Sequence, residues 1–392
     1  MFYRQKLAQR MLAASLITAS MTAAFAADAT RETAPAGGWA SQNGGTTGGS
    51  TAATADVYLV STPTALLAAL SNAGSRAKIV RISGTIDMTS SDNGGAFTSH
   101  SDQNVRSKIA VPSNTTIIGV GSNATIKNAT INIDSVSNVI VRNLTIINPC
   151  DVAPVWDPDD GDTGNWNSEF DGLVVSNSKN VWIDHNVFTD KPLTDDKLEK
   201  GNGKIKQCHD GALDVKKGSD YVTISYNVFD SHEKNNLIGH SDSNTSDDGH
   251  LTVTFNHNYF TNVAERAPRV RFGKVHVYSN YFVGDRSASV YAYQYSIGPA
   301  YKAKIISEQN VFNVTGATTC AHVIKNPGSS SKTGAITDTG SLLNGSALNL
   351  ASNCTNFSQA SWTIPYKYTP TSASNVATTV PANAGVGKIT VN

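Results

Sequence analysis

Three arginines crowd into one short stretch, residues 265–273, which reads Glu-Arg-Ala-Pro-Arg-Val-Arg-Phe-Gly. Because alternate residues of a β-strand point to the same side, Arg269 and Arg271 share an outer face above an apolar pair. Arg266 falls out of that register, and Pro268 supplies a break that can bring it beside Arg271. Such a stretch either contacts an anion or forms a solvated basic edge strand that resists aggregation. Its spacing alone gives the two interpretations similar weight.

Four carboxylates lie upstream of the arginines, next to two long polar insertions. Glu169 and Asp171 close the first insertion, and Asp210 and Asp214 follow the second. In a strand, Asp210 and Asp214 point the same way over an apolar base. If Asp171 lies one coil below them, the carboxylates converge without histidine or cysteine, a set that suits a hard cation such as calcium. The same residues also suit the acid and base of a glycosidase, or ordinary solvated turn residues.

One lysine lies between the acidic residues and the arginines. This residue, Lys234, is followed by Asn-Asn-Leu-Ile-Gly. By itself it would be an ordinary surface lysine, so a chemical role depends on what the fold places next to it.

The segments that must position these groups are short β-branched runs separated by Asn, Gly, Ser and Asp, too short for helices. An asparagine followed by an apolar pair recurs at intervals of 41, 31, 22 and 30 residues. The repeated asparagines are Asn186, Asn227, Asn258, Asn280 and Asn310. One interval in the low twenties with longer ones beside it is typical of a parallel β-helix whose coils carry loop insertions. We expect the asparagines to hydrogen-bond along the axis and the Phe/Tyr rings to fill the interior. An antiparallel sandwich with Asn-containing turns is the alternative, although hairpins do not require the same tripeptide after each strand.

The N-terminal segments predict export from the cytoplasm. Residues 1–26 combine three basic residues, an apolar Ala-rich run and Ala-Phe-Ala, which together indicate a secretory signal peptide. Residues 27–54 are rich in Gly, Ser and Thr, and we interpret them as a flexible linker or disordered arm. Residues 55–392 are predicted to form one β-helix catalytic domain. A helix that begins after an N-cap at Thr62 and ends near 72–74 would cover the end of its sheets.

Charge and cysteine content fit a secreted protein. The chain has 31 basic and 31 acidic residues, and removing the three basic residues of the signal peptide leaves 28 against 31, a formal charge of −3. Proteins that bind nucleic acid usually have an excess of basic residues, so nucleic-acid binding is not expected here. After the signal peptide, no apolar run is long enough to span a membrane. Four cysteines permit three disulfide connectivities. We favour Cys320 with Cys354, because that pair would staple a loop-rich C-terminal region.

Taken together, these residues resemble the extracellular pectate lyases of polysaccharide lyase family 1. Four motifs carry the resemblance, in the family's order and spacing: Val-Trp-Ile-Asp-His at 181–185, Asp-Gly-Ala-Leu-Asp at 210–214, Lys234 with Leu-Ile-Gly at 237–239, and Arg266 to Gly273. The likeness runs from about residue 56 to the C-terminus. It implies an all-β, right-handed, single-stranded parallel β-helix with an N-terminal capping helix and long loops. It also implies a monomeric, secreted, calcium-dependent enzyme that cleaves de-esterified polygalacturonate by β-elimination.

The resemblance also implies roles for individual residues. The implied assignments are calcium ligands at Asp171, Asp210 and Asp214, a further acidic ligand at Glu169, a catalytic base at Arg266, carboxylate binding by Lys234 and Arg271, and a further substrate contact at Lys216. Asp184 and His185 belong to a family signature without an assigned chemical role and stay outside the site. Asp210 replaces a glutamate of some relatives, which keeps the charge. Pectin lyases, the methyl-ester-cleaving cousins, lack the acidic set that this chain has.

Two other function classes compete with the lyase. A hydrolase on the same scaffold would use paired acids without a central arginine, and its products would lack a new double bond. A β-helix that only binds polysaccharide would lose nothing catalytic when calcium is removed.

Overall fold

The structure, a computed structural model, describes residues 28–72, 74–354 and 356–391. In these ranges the chain winds into a parallel β-helix with three sheets, and successive coils pair in register, as between Val181 and Val222. The predicted β-helix is therefore confirmed. The predicted signal peptide, residues 1–26, lies outside the described residues.

The three sheets are called I, II and III, and the strands below are those found in the described ranges. Sheet I consists of Val57–Val60, Lys78–Ile82, Thr115–Gly119, Ser137–Arg142, Lys179–Asp184, Asp220–Ser225, Val253–Asn256, Lys274–Tyr278, Lys304–Glu308 and Ala335–Thr339. Sheet II consists of Thr85–Asp87, Thr125–Lys127, Thr145–Ile147, Val187–Thr189, Val228–Lys234, Tyr259–Glu265, Tyr281–Asp285, Val311–Thr315, Leu342–Leu343 and Ser346–Ala347. Sheet III consists of Lys108–Ala110, Thr130–Asp134, Leu173–Ser176, Leu213–Lys216, Leu237–Ile238, Arg269–Val270 and Gly298–Pro299.

Two hairpins and four α-helices lie outside these sheets in the same ranges. The hairpins pair Val155–Asp157 with Asn165–Asn167, and Lys200–Gly201 with Lys204–Ile205. The helices are Pro63–Ser71, His100–Arg106, Leu350–Asn353 and Ala373–Asn383. Both hairpins fall within the two long insertions that the sequence places beside the acidic residues.

The asparagine ladder forms as predicted. All five repeated asparagines are fully buried. The side-chain amides of the first four each donate to the side-chain oxygen of the next asparagine along the axis, at 3.0 Å from Asn186 to Asn227 and 3.1 Å from Asn227 to Asn258. Because a buried polar group without a partner is costly, this ladder fixes how the coils stack at the turn between sheets I and II.

Phenylalanines form a second stack inside the helix. Phe188, Phe229, Phe260, Phe282 and Phe312 follow one another with ring centroids 4.7 to 5.0 Å apart. These distances match the spacing of about 4.8 Å between adjacent strands, so each ring lies on the ring of the coil before it. The stacked rings come from strands of sheet II and fill the interior of the β-helix.

The predicted capping helix is confirmed at Pro63–Ser71. The Thr62 hydroxyl accepts a hydrogen bond from Ala65 N at 3.3 Å, and Asn72 closes the C-terminal end. Leu66 and Leu70 face the interior and are buried, so the helix covers the apolar end of the first coil.

The segment from residue 28 to 54 contradicts the predicted linker, because it lies along the outer face of sheet I. Trp39 N donates to Thr254 Oγ1 at 3.0 Å, and Ala40 N donates to Thr223 Oγ1 at 2.8 Å. A Cβ atom at Gly49 would collide with the carbonyl of Lys78, so glycine is what lets this backbone approach the sheet. The glycine-rich composition, which predicted flexibility, here lets the segment pack closely against the sheet.

The C-terminal region also packs against sheet I and sheet II. Trp362 stacks on Trp39 at 5.9 Å, and Tyr366 shares hydrogen bonds with Thr254 and His276. Cys320 bonds to Cys354, as predicted, and the other disulfide joins Cys150 to Cys208, next to the two insertions. Among the described helices, none combines the length and apolarity that crossing a bilayer requires.

Candidate active site

The outer face of sheet III presents two columns of side chains. In one column, the strand register aligns Asp214 with Val174 and then continues through Leu237 to Arg269. In the other, Lys216 is followed by Gly239 and Arg271. The residues between them, such as Val215 and Val270, are fully buried in the core. The sheet therefore holds an acidic side chain on its central strand and a guanidinium group two strands away.

Asp171 and Asp214 converge on Gly211. A Cβ atom at Gly211 would lie 2.6 Å from Asp214 Oδ1 and 2.8 Å from Asp171 Oδ1. Gly211 N donates to Asp171 Oδ1 at 3.0 Å, and Leu237 N donates to Asp214 Oδ1 at 3.0 Å. The glycine thus makes room for two nearly buried carboxylates that backbone amides hold in place.

The electrostatics of this group favour a bound cation. Burial, followed by the charge of Asp214, raises the pKa of Asp171 well above its usual range. Burial and the nearby charge of Asp210 raise the pKa of Asp214 to about 6. Carboxylates that repel one another in a poorly solvated place are stabilised by a positive charge between them. An oxygen-only set of this kind fits a hard divalent cation better than a soft one.

Lys216 supplies one positive charge to the group. Its Nζ donates to Asp171 Oδ2 at 3.1 Å. Burial alone would lower the pKa of Lys216, but Asp171 and Asp214 raise it above its ordinary value. One ammonium beside three carboxylates leaves the group with a net negative charge when all are ionised.

Glu169 is much more exposed than Asp171 and Asp214. Its side chain is 75% exposed and pairs with His100 Nε2 at 3.2 Å. It lies at the rim of two clefts, one of about 270 Å³ beside Asp171 and one of about 840 Å³ beside Arg266.

Arg266 lies beside the acidic group in an unusual backbone conformation. Its φ of 61° is in the left-handed region, which a residue with a side chain rarely adopts. Its Nε donates to Glu265 Oε1 at 2.9 Å, and Lys234 lies next to Glu265 in the strand register. Burial would lower the pKa of Arg266, but Glu265 and the carboxylate of Asp214 raise it above its usual value.

Arg271 is held from two sides. Its Nε donates to Asp242 Oδ1 at 2.7 Å and its Nη1 donates to the carbonyl of Gly239 at 2.9 Å. Lys234 and Arg266 line the same open cleft of about 840 Å³, together with Trp156 of the first hairpin. The structure thus brings together the predicted residues Asp171, Asp210, Asp214, Lys216 and Arg266, with Lys234 in the adjoining cleft. The sequence did not reveal the partners Glu265 and Asp242, because each is an unremarkable acid outside the matched motifs.

A second acidic group lies beside His232, whose Nδ1 is 2.7 Å from Asp190 Oδ1. Ligand atoms of Asp190, Asp195 and His209 lie within 4.8 Å of one another. The Tyr291 hydroxyl donates to Asp190 at 2.8 Å, Gln207 donates to Asp195 at 2.7 Å, and both ring nitrogens of His209 lie within 3.1 Å of backbone carbonyl oxygens. Since these atoms already have partners, the group is a buried hydrogen-bond network and not a vacant ligand set.

Comparison with known proteins decides the family. The family model for pectate lyases matches residues 9–389. The chain belongs to the pectate lyase family. Pectate lyase E of Dickeya chrysanthemi is 46% identical over 389 residues, which cover 97% of this chain and 97% of that protein.

Solved structures agree with this membership. A pectate lyase bound to a hexasaccharide is 36% identical with a TM-score of 0.86, over 93% of this chain and 100% of that one. The pectate lyase Bsp165PelA from Bacillus sp. N165, in complex with trigalacturonate, is 27% identical with a TM-score of 0.66, over 90% and 99%. The protein is therefore an enzyme, a polysaccharide lyase.

The signature residues of this pectate lyase lie on another face. Asp184 bonds to Arg142 at 2.8 Å and to His185 at 2.6 Å, beneath a separate cleft of about 760 Å³. The wall of that cleft is sheet I and the N-terminal segment, whereas the carboxylates and arginines of this lyase lie on sheet III. The signature thus organises packing between sheet I and the N-terminal segment.

Proposed function

We propose that this protein is a secreted, calcium-dependent pectate lyase that cleaves α-1,4-polygalacturonate by β-elimination to 4,5-unsaturated oligogalacturonides. The observation that carries the proposal is the convergence of Asp171 and Asp214 on Gly211, next to Arg266. The relatives crystallised with a hexasaccharide and with trigalacturonate support an oligogalacturonate as the substrate.

Calcium would be held by Asp171, Asp210 and Asp214. The raised pKa values of Asp171 and Asp214 support this assignment, because a bound cation would relieve the repulsion that raises them. When bound, calcium would draw electron density from the uronate carboxylate and so increase the acidity of the proton at C5. Glu169, which lines the same cleft as Asp171, would supply a further acidic ligand.

Arg266 would accept the C5 proton. An arginine is ordinarily protonated at neutral pH, and Glu265 and Asp214 strengthen that tendency here. Neutralising Asp210 and Asp214 on substrate and cation binding removes part of the field that keeps Arg266 protonated. Because only the neutral guanidine is a base, turnover should rise toward alkaline pH.

Lys234, Arg271 and Lys216 would bind the carboxylates of the substrate. Lys234 shares the open cleft with Arg266, which suits a charge placed beside the reacting sugar. The Nε and Nη1 of Arg271 are taken by Asp242 and Gly239, so Arg271 would offer its remaining N–H groups. Lys216 would stabilise a carboxylate shared with the cation.

The domain organisation belongs to the same proposal. Residues 1–26 would be removed on secretion, and the remaining chain would act as a monomer in which the single β-helix is the catalytic domain. The two disulfides support an oxidising compartment. Neither a nucleic acid nor a membrane is a proposed partner.

The decisive assay follows the near-ultraviolet absorbance of unsaturated uronate released from polygalacturonate, with and without a calcium chelator. The proposal expects absorbance that rises with time, disappears with chelator and returns with added calcium. Reducing ends without absorbance would instead indicate a hydrolase. Binding without any cleavage would indicate a carbohydrate-binding β-helix.

Arg266→Lys tests the base. We expect it to lose nearly all turnover while the Kd for an oligogalacturonate stays within about threefold of wild type, because the ammonium keeps the charge. Near-normal turnover would remove Arg266 from that role.

A further inference from the structure

Arg269 occupies the outer face of sheet III, on the groove that the proposed function uses. In the strand register it aligns with Leu237, which follows Asp214 in the same column. Two strand spacings, about 10 Å, therefore separate Arg269 from the acidic group. Its neighbour Val270 is fully buried, which fixes the outward direction of the Arg269 side chain.

Arg269 differs from its two neighbouring arginines in having no acidic partner. Arg266 pairs with Glu265 and Arg271 pairs with Asp242. For Arg269, no described residue provides a side-chain hydrogen bond or an ion pair, and its Nε is buried without a partner. A partly buried cation without a counter-charge carries a desolvation cost that an incoming anion relieves.

The surroundings of Arg269 add to its affinity for an anion. Burial, followed by the charge of Arg271 and then that of Arg266, lowers the pKa of Arg269. The positive charges of Arg271 and Arg266 repel the charged guanidinium of Arg269. A carboxylate placed beside Arg269 would therefore be attracted by all three arginines. An exposed basic residue, Lys325, lies one coil further along: its backbone N donates to the carbonyl of Ile297, which precedes Gly298, the residue aligned with Arg269.

The stem of Arg269 is held in one direction. A Cβ atom at Gly298 would lie 3.3 Å from Arg269 Cβ and 3.0 Å from Tyr295 Cε2, so this glycine leaves room for the stem to cross the next coil. The guanidinium reaches Gly328, where a Cβ atom would lie 3.9 Å from Nη2. In the strand register, Gly298 lies on the side of Arg269 opposite Leu237 and Asp214, so the stem passes a coil further from the acidic group.

We propose that Arg269 binds the carboxylate of a galacturonate residue in a subsite next to the one at Arg266. The inference rests on the proposed function, because it concerns the same groove and the same polyanion. It makes Arg269 a determinant of specificity: a free carboxylate is favoured at this position and a methyl ester is disfavoured.

The test compares Arg269→Met, which keeps the apolar stem, with Arg269→Gln, which keeps hydrogen bonding. Both are placed in the Arg266→Lys background, so that binding is measured without turnover. The probe is hexagalacturonate, and the readouts are Kd and its dependence on salt. Arg286→Gln is the matched control, because it removes one exposed positive charge next to a sheet II strand.

We expect each Arg269 variant to raise Kd about tenfold, as the loss of one charge-assisted hydrogen bond would. Log Kd should also depend less steeply on log salt concentration, because one ion pair is missing. Arg286→Gln should leave both quantities unchanged. A folded Arg269 variant with the Kd and the salt dependence of its parent would overturn the inference, and so would an equal effect in the control.

A merely structural role predicts a different pattern. Repacking around Gly298 would lower thermal stability in Arg269→Met and Arg269→Gln without changing the salt dependence. A methyl-esterified hexamer separates the two roles further, because the preference for the free acid over the ester should be smaller in both Arg269 variants than in their parent. Under a merely structural role that preference should stay unchanged. Failure of the proposed function is recognised separately, as hexagalacturonate binding to a wild-type protein that releases no unsaturated uronate.

Discussion

Gly211→Ala tests the geometry on which calcium binding depends. The added Cβ would lie 2.6 Å from Asp214 Oδ1 and 2.8 Å from Asp171 Oδ1, below the 3.0 Å that real contacts respect. Both carboxylates must therefore move by several tenths of an ångström. Metal sites tolerate deviations of only about 0.2 Å in their ligand distances.

The expected size of the effect follows from that displacement. Disturbing the groups that orient metal ligands typically costs 10- to 100-fold in affinity, about 1.4 to 2.7 kcal/mol. We expect the calcium concentration at half-maximal activity to rise by this factor. The fold should survive, because the backbone of Gly211 is not in the left-handed region and alanine reduces the entropy of the unfolded chain.

The assay is lyase activity against free calcium, supported by calorimetric titration of calcium into the substrate-free protein. Gly201→Ala is the matched control: its Cβ would meet Trp166 Cζ2 at 2.8 Å and Lys206 Cε at 2.9 Å, a clash of similar size without a carboxylate. The reasoning is refuted if Gly211→Ala binds calcium as the wild type does, or if Gly201→Ala loses as much affinity.

Three further predictions concern the ladder, the pH and the competing lysine. Asn258→Ala removes an amide that donates to Ile224 O and Asn280 Oδ1, both at 2.9 Å, and leaves buried groups unpaired. We expect a loss of about 3 kcal/mol in the free energy of unfolding by urea, and a loss below 1 kcal/mol would contradict the ladder's role. Because the pKa of Asp214 is raised to about 6, this carboxylate should cost the metal-free protein roughly 3 kcal/mol of stability as pH rises from about 4 through 6. Asp214→Asn should remove that part of the loss in urea unfolding, whereas the part due to Asp171 should remain, because the pKa of Asp171 is raised too. Lys216→Met removes an ammonium that competes with calcium for Asp171, so calcium should bind more tightly, while the KM for polygalacturonate should rise because a substrate contact is lost. Weaker calcium binding in a calorimetric titration would show instead that Lys216 supports the ligand set.

Much of the scaffold follows from local patterns. The recurring Asn-apolar-aromatic tripeptide predicts both the amide ladder and the phenylalanine stack, because each coil repeats the same turn. Thr62 and Pro63 predict the start of the capping helix through the first turn's own hydrogen-bond needs. In contrast, the Gly/Ser-rich composition before residue 55 predicts a flexible linker, and that prediction is wrong. Composition does not distinguish a mobile chain from one that needs glycine to lie flat on a sheet.

The sequence by itself predicted which side chains share a strand face, because the period of a strand is two residues: Asp210 with Asp214, and Arg269 with Arg271. The strands in the structure are shorter, Leu213–Lys216 and Arg269–Val270, so Asp210 and Arg271 lie just beyond their ends. Only the tertiary structure decided which faces meet. Asp171 reaches Gly211 from 40 residues away, and Arg266 and Arg271 acquire acidic partners while Arg269 does not. Those contacts form between coils separated by insertions of unequal length, so they depend on how the coils stack and not on any spacing within one strand.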